Sequence, residues 1–319
     1  MVDATRAQTT DTEITKHCAY SFPAVAFALG RNHWQLLKPV FLKLVRDMQW
    51  KVRRTLSFSL HELAMVLGPQ LTETDLLSVF DEFLKDVDDV RVGLLKHLAD
   101  FFKLLEVDVR RQYLPKIADF LITDNSRNWR FRVDLAEQLI KLLDLFSSSD
   151  VFHHLSPIAF KLAEDSVAQV RHTSVSVLEG MIRKPRDEND KDIEELWMAF
   201  FNRVNNFHLS DSFFRRQLFA QICSKICENS GLPCEQFANL FLPGLHKLSM
   251  DKVPNVRLAV AVCMFKHMVH QDFFINSTYK RRADFMDMIH RLTSEKDRDL
   301  LFIIGTYAPN YLPPPPPPP

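Results

Sequence analysis

A short pattern ending in arginine returns about every forty residues along this chain of 319 residues. Val52-Arg53, Val90-Arg91, Phe131-Arg132, Val170-Arg171, Arg215-Arg216 and Val256-Arg257 follow one another at steps of 38, 41, 39, 45 and 41 residues. An aspartate commonly stands four or five residues before the Val, as Asp47, Asp86, Asp165 and Asp251 do, and Pro39, Pro157 and Pro243 stand fourteen before the Arg. A fixed period of this length marks stacked helix pairs, each a supersecondary unit that buries its apolar face only against its neighbours.

The apolar spacing between these landmarks is helical. Val52, Leu56, Leu60, Leu63 and Leu67 recur at steps of four, four, three and four, and Phe131, Leu135, Leu139, Leu142, Leu143 and Phe146 form a second stripe of that kind. The spacing predicts pairs over 32–46 with 50–67, 73–85 with 88–106, 108–123 with 127–146, 151–164 with 167–183, 193–206 with 211–229 and 233–250 with 253–270. A weaker pair over 278–304 closes the series, and a single helix over 15–29 precedes it. Residues 1–14 read as a flexible lead-in, 15–305 as the array of about six full pairs with partial terminal ones, and 306–319 as a proline-rich tail. Gly68-Pro69 is expected to stop one helix, Thr72 or Thr74 to cap the next, and Ser147 to Asp150 to form a turn and cap. The charged loop Lys184 to Asp192 accounts for the long step of 45. The fold class is all-α: an α-solenoid of HEAT type, an ARM-like α-α superhelix.

The recurring polar residues have a structural explanation. Each aspartate falls in the turn between paired helices, where it can accept from free N–H groups, and each arginine falls in the first turn of the second helix. Stacking brings an arginine near a neighbouring repeat's aspartate. Asp47, Arg53, Asp86, Arg91, Arg132, Asp165, Arg171, Asp251 and Arg257 are therefore expected to form an internal ladder of charge-assisted hydrogen bonds.

Composition removes several function classes. Lys+Arg and Asp+Glu are both 40, so the basic excess of a nucleic-acid binder is absent. Only seven glycines occur, no two closer than thirteen residues, which excludes Rossmann and P-loop phosphate cradles. Cys18, Cys223, Cys227, Cys234 and Cys263 include no Cys-x-x-Cys pair and read as reduced thiols rather than a zinc site. No apolar run approaches the roughly 20 residues of a membrane span. His61-Glu62 lacks the second histidine of a zincin, His153-His154 reads as a surface feature, and no G-x-S-x-G elbow exists. No enzyme, metal or cofactor is expected.

Two inter-helix turns combine tryptophan with basic side chains, the residue types most enriched at interface hot spots. One holds Trp50, Lys51 and Arg54; the other holds Asn125, Arg127, Asn128, Trp129 and Arg130. They are the candidate partner-binding residues, against the alternative that the tryptophans pack on adjacent repeats and the arginines join the ladder. Trp34 and Trp197, inside first helices, are assigned to the core. Tyr279-Lys-Arg-Arg282 reads as a solvated face or a weak nuclear signal, so the expected location is cytoplasmic, with nuclear entry open.

Beyond the generic repeat, Asp47-Met-Gln-Trp-Lys-Val-Arg-Arg-Thr-Leu56, His61-Glu-Leu-Ala64, Val90-Arg-Val-Gly-Leu-Leu-Lys-His-Leu98, Thr123-Asp-Asn-Ser-Arg-Asn-Trp-Arg-Phe-Arg132 and Val253-Pro-Asn-Val-Arg257 resemble the regulatory subunit 1 family of protein phosphatase 4. The resemblance runs over roughly residues 5–300 and is looser to the scaffold subunit of type 2A phosphatase. It implies a non-catalytic subunit, corresponding to the family's C-terminal block of repeats. Such a subunit holds a phosphatase 4-type Ser/Thr catalytic subunit and helps direct it to phosphoprotein substrates, with no nucleic acid or membrane partner. The alternative is a HEAT-type transport or cargo-binding adaptor without a phosphatase partner.

Overall fold

The first stripe, Val52 to Leu67, lies on Trp50–Leu71 and is buried along its whole length, and so is the second, Phe131 to Phe146. The computed structural model describes residues 12–123, 125, 127–185 and 190–312. Most of the expected lead-in, Asp124, Ser126, the middle of the charged loop and the run of seven prolines lie outside the described residues. Among the described residues there is no strand. No helix among them is long and apolar enough to cross a membrane.

The chain divides into two compact units at Ile158 and Ala159. The first begins with α1 (Thr12–Leu29), which packs on α2 (Trp34–Val45) and α3 (Trp50–Leu71). A π turn, Thr72–Leu76, leads into α4 (Leu77–Leu84), which pairs with α5 (Asp88–Lys96) and α6 (Leu98–Lys103). Next come α7 (Val107–Gln112), α8 (Leu114–Ile117) and α9 (Trp129–Leu142), then α10 (Ser148–Asp150) and a second π turn, Val151–Leu155. The unit boundary falls inside α11 (Ser156–Ala163).

In the second unit α12 (Ala168–Arg183) is followed by the pair α13 (Lys191–Asn205) and α14 (Phe213–Glu228). Then α15 (Cys234–Leu248) pairs with α16 (Pro254–Ala261), which continues into a π turn at Val262–His267. The unit closes with α17 (Asp272–Asn276), α18 (Arg282–Ser294) and α19 (Arg298–Tyr307). Each unit is a stretch of all-α solenoid.

Phenylalanines fill the space between helices. Phe80 stacks on Phe101 at 5.2 Å and meets Tyr113 edge-on in the first unit; Phe241 contacts Phe201, Phe219 and Phe237 in the second. Such pairs add about 0.5–1.5 kcal/mol each beyond area burial. Trp34 and Trp197 are buried as expected, and Trp34 Nε1 donates to Asp75 of the next pair at 2.7 Å.

Three local expectations are corrected. Gly68 breaks α3, with φ +76, but the chain resumes helical geometry at once rather than forming a loop. Neither Thr72 nor Thr74 caps: their hydroxyls donate backwards, to Ala64 O and to Gln70 O. The expected helix over 108–123 is instead α7, α8 and a 3-10 turn at Ala118–Leu121. Pro115 supplies the reason, because it brings no N–H and crowds the preceding turn. Ser147 does cap, accepting from Asp150 N at 3.1 Å.

The second helix of the second pair also breaks, at His97 (φ −125) between α5 and α6. There the Gln138 amide enters from α9. It donates to Lys96 O at 2.9 Å and accepts from Ala99 N at 3.1 Å, replacing the helical bonds lost at the break. Beside this break α3 and α5 come very close: a Cβ on Gly93 would stand 2.0 Å from Ser57 Oγ, which itself donates to Val90 O.

Candidate interaction surface

The turns between paired helices form the surface that the sequence points to, and the arginine ladder builds it. In the first unit Arg53 donates to Asp47 O and Met48 O in its own turn. It then reaches across to both oxygens of Asp86 in the next turn, at 2.6 and 2.8 Å. Burial alone would raise the Asp86 carboxyl; the Arg53 guanidinium and the Val87 N–H more than offset this and hold it below the ordinary carboxylate range.

The second unit repeats the arrangement. Arg216 takes Ser210 O and Asp211 O and bonds Asp251 through Nε and Nη2. Arg257 takes Asp251 O and both oxygens of Glu295, at 2.9 and 3.0 Å. Arg171 takes Asp165 O and Ser166 O, but its guanidinium lies 4.4 Å from the centre of the Phe214 ring. In the next turn the group that meets this guanidinium is an aromatic face, not a carboxylate.

The aspartates act differently from the expected helix caps. Asp47, Asp165 and Asp251 each accept from the N–H two residues on, at Gln49, Val167 and Val253. These are Asx turns that set up the following helix from outside it. Arg91 also departs from the ladder. It binds Asp88 within its own helix, then Asp119 O and Ile122 O of the next repeat, with its guanidinium against Phe120 and Phe131. Carbonyl oxygens of the next turn, among the described residues, take the place that a carboxylate holds for Arg53. Arg132 is half-buried in α9. Arg216 and Glu295 are ladder members that the sequence reading passed over; position in the forty-residue register was the available signal for both.

Arg53 and Arg91 thereby tie three successive turns of the first unit in a row, around residues 47–50, 86–88 and 119–123 with 125, 127 and 128. Met48 is 98% exposed, Ile122 71% and Trp50 40%, with Lys51 beside Trp50 and also exposed. Arg54 is exposed one turn further along α3, 5.0 Å over the Phe58 ring. In the third turn Asn125 Oδ1 accepts from Arg127 N and Asn128 Oδ1 accepts from Phe131 N, so both asparagines shape the backbone. Trp129 is half-buried and the exposed Arg130 lies over its ring at 4.6 Å. The candidates thus separate: Trp50, Lys51, Arg127 and the Trp129–Arg130 stack face outward, while Asn125 and Asn128 hold the turn that presents them.

Arg54 also borders a groove of about 540 Å³ with Tyr20, Phe58, His61, Glu62 and His97, which the sequence reading did not foresee. His61 and His97 stack at 3.8 Å and 8°. Burial lowers the His61 pKa first, and His97 adds to this. Their parallel rings do not converge on a point, and no cluster of three metal-ligating side chains exists among the described residues. In the second unit Cys223, Cys227 and Cys263 are buried, and burial and neighbouring sulfur raise the Cys223 thiol well above its usual pKa. The basic run is bonded locally: Arg282 donates to Ile275 O and Ser277 O, and Tyr279 stacks on Phe273.

Stacked helix pairs, tied turn to turn by arginines within each unit and bearing tryptophan and arginine at the turns of the first, define a HEAT-repeat protein. Residues 18–120 match the family profile described as the protein phosphatase 4 regulatory subunit 1 middle domain. The chain resembles serine/threonine-protein phosphatase 4 regulatory subunit 1 of Homo sapiens, with 46% identity over 312 residues, 96% of this chain and 32% of that protein. The Rattus norvegicus subunit matches to the same extent. The chain therefore spans about a third of the length of the curated relatives it matches. Among solved structures, a designed armadillo repeat protein aligns with 71% of this chain and 98% of its own, at 12% identity and TM-score 0.42. An engineered protein aligns with 96% of this chain and 77% of its own, at 12% identity and TM-score 0.45.

Proposed function

We propose that this chain is a non-catalytic regulatory scaffold that binds a phosphatase 4-type Ser/Thr catalytic subunit and helps bring phosphoprotein substrates to it, in the cytoplasm. The observation that carries the reading is the 46% identity across 96% of the chain to proteins named as regulatory subunits of that phosphatase. The turn row supports it physically. Rigid helix pairs hold Trp50, Lys51, Trp129 and Arg130 outward at fixed spacing, and aromatic and guanidinium groups on a pre-organised backbone lose little entropy on docking. Catalysis belongs to the partner, and this chain contributes position.

Cross-linking mass spectrometry of the chain with the phosphatase 4 catalytic subunit tests the proposal. Lys51 and Lys85, both exposed at the first two turns, are expected to cross-link to the catalytic subunit. Links confined to other faces would move the interface, and a mixture that gives none would refute the scaffold reading.

A further inference from the structure

In the second unit the outward faces of α12, α14 and α16 enclose a groove of about 440 Å³. Gln217, Gln221 and Lys225 follow one another along α14 at single-turn intervals, and Leu258 and Val262 face the same groove from α16 and its π turn. Gln217 and Gln221 are half-buried, yet neither amide has a hydrogen-bond partner among the described residues. Leu258 and Val262 are likewise left half-exposed by the packing. At one end Lys225 pairs with Glu228 at 2.7 Å, and the exposed Lys266 shares the field of that same carboxylate, so two lysines stand against one acid there.

The spacing fits one kind of occupant. Four residues of α-helix rise about 6 Å. Two residues of extended peptide rise about 6.6 Å, and in that repeat both the side chains of one face and the backbone N–H and C=O groups of one edge return. Two glutamine amides one turn apart therefore meet successive backbone groups of one edge of an extended chain, each amide offering both donor and acceptor. The side chains facing the groove floor would meet Leu258 and Val262, and the next one on that face reaches the end where Lys266 stands.

The geometry points to this groove as a docking site for an extended peptide segment of a partner protein, with apolar residues at alternate positions and a carboxylate two residues beyond. The charge of Lys266 selects the acidic side chain, and the unpaired amides of Gln217 and Gln221 select the extended backbone. The inference goes beyond the scaffold reading and requires no phosphatase.

The probe is a fluorescein-labelled peptide, Ser-Leu-Ser-Leu-Ser-Glu-Ser, titrated into the full chain and followed by anisotropy. Two control peptides accompany it: one with lysine for glutamate, and one N-methylated at alternate residues so that one backbone edge carries no N–H. Saturable binding is expected, with affinity about tenfold lower for either control, for Gln217→Ala with Gln221→Ala, and for Lys266→Glu, each variant keeping its wild-type circular dichroism and melting curve. Absence of saturable binding at millimolar peptide would overturn the proposal, as would affinity that neither N-methylation nor the glutamine pair changes. Equal affinity for the lysine peptide would overturn the acidic selectivity. Catalytic-subunit binding, measured separately, is expected to be unchanged by all three groove substitutions, so failure here leaves the scaffold reading standing on its own test.

Discussion

Replacing Arg216 with methionine isolates what one rung of the ladder contributes. The Arg216 side chain is 10% exposed and that of Asp251 is 7% exposed. The substitution keeps most of the buried stem but removes two bonds to Asp251 and two to Ser210 O and Asp211 O. Asp251 keeps the Val253 N–H and the weaker field of Lys252, so a nearly buried carboxylate loses its hydrogen-bonded counter-charge. Breaking such a pair from one side costs about 3–5 kcal/mol. Arg171 provides the internal comparison, since it makes two carbonyl bonds and a ring contact but, among the described residues, no pairing across to a carboxylate. Two charged–neutral bonds in a partly exposed setting and a cation–π contact suggest about 1–2 kcal/mol for Arg171→Met. Because stacked repeats lose cooperativity piecewise, the assay is native-state hydrogen exchange on α14 and α16, supported by urea unfolding. Comparable losses for the two variants, or a loss below about 1 kcal/mol for Arg216→Met, would refute the view that the cross-repeat carboxylate carries the rung.

Asp86, Asp150 and Asp251 are all held below the ordinary carboxylate range: burial opposes the charge but arginine and hydrogen bonds outweigh it. Their stabilisation is present above the unfolded value near pH 3.9 and is lost as pH falls through their lower folded values, so Asp251→Asn should flatten acid unfolding followed by circular dichroism. Glu179 behaves oppositely. Burial raises its pKa despite Arg183 and Asn229, so its carboxyl costs stability as pH rises from the unfolded value through the folded one. Glu179→Gln should therefore gain relative to wild type as pH rises above the unfolded value in urea titrations, and no such gain would mean that the Arg183 pair offsets the burial. Gly93→Ala should destabilise the first unit by about 2–3 kcal/mol, because its Cβ meets Ser57 Oγ and the Phe58 backbone N at 2.7 Å; a thermal melt indistinguishable from wild type would refute the close approach.

Much of the architecture was legible because it is local. The apolar stripes of α3 and α9 and the forty-residue register each lie within one repeat, and the helices appear where the stripes place them. What depended on pairing between repeats was less visible. Nothing in the sequence around His97 signals that Gln138 will enter its helix, or that His61 will stack on it. Arg91 looked like every other rung, but its partners across to the next turn are the carbonyl oxygens of Asp119 and Ile122. At the candidate surface the residue types were recognisable and their division of labour was not. Asn125 and Asn128 read as contact residues, yet backbone geometry assigns their oxygens to the turn itself.

The central claim is that the turn row binds a phosphatase catalytic subunit, and native mass spectrometry of the purified chain mixed separately with the phosphatase 4 and type 2A catalytic subunits tests it most directly. The account predicts a one-to-one complex with the phosphatase 4 subunit. Trp129→Ala with Arg130→Ala should weaken it about tenfold or more, the range of a hot-spot loss, with the helical content of the chain unchanged. A folded chain that forms no complex with either enzyme, or a complex indifferent to loss of the Trp129–Arg130 stack, would contradict it.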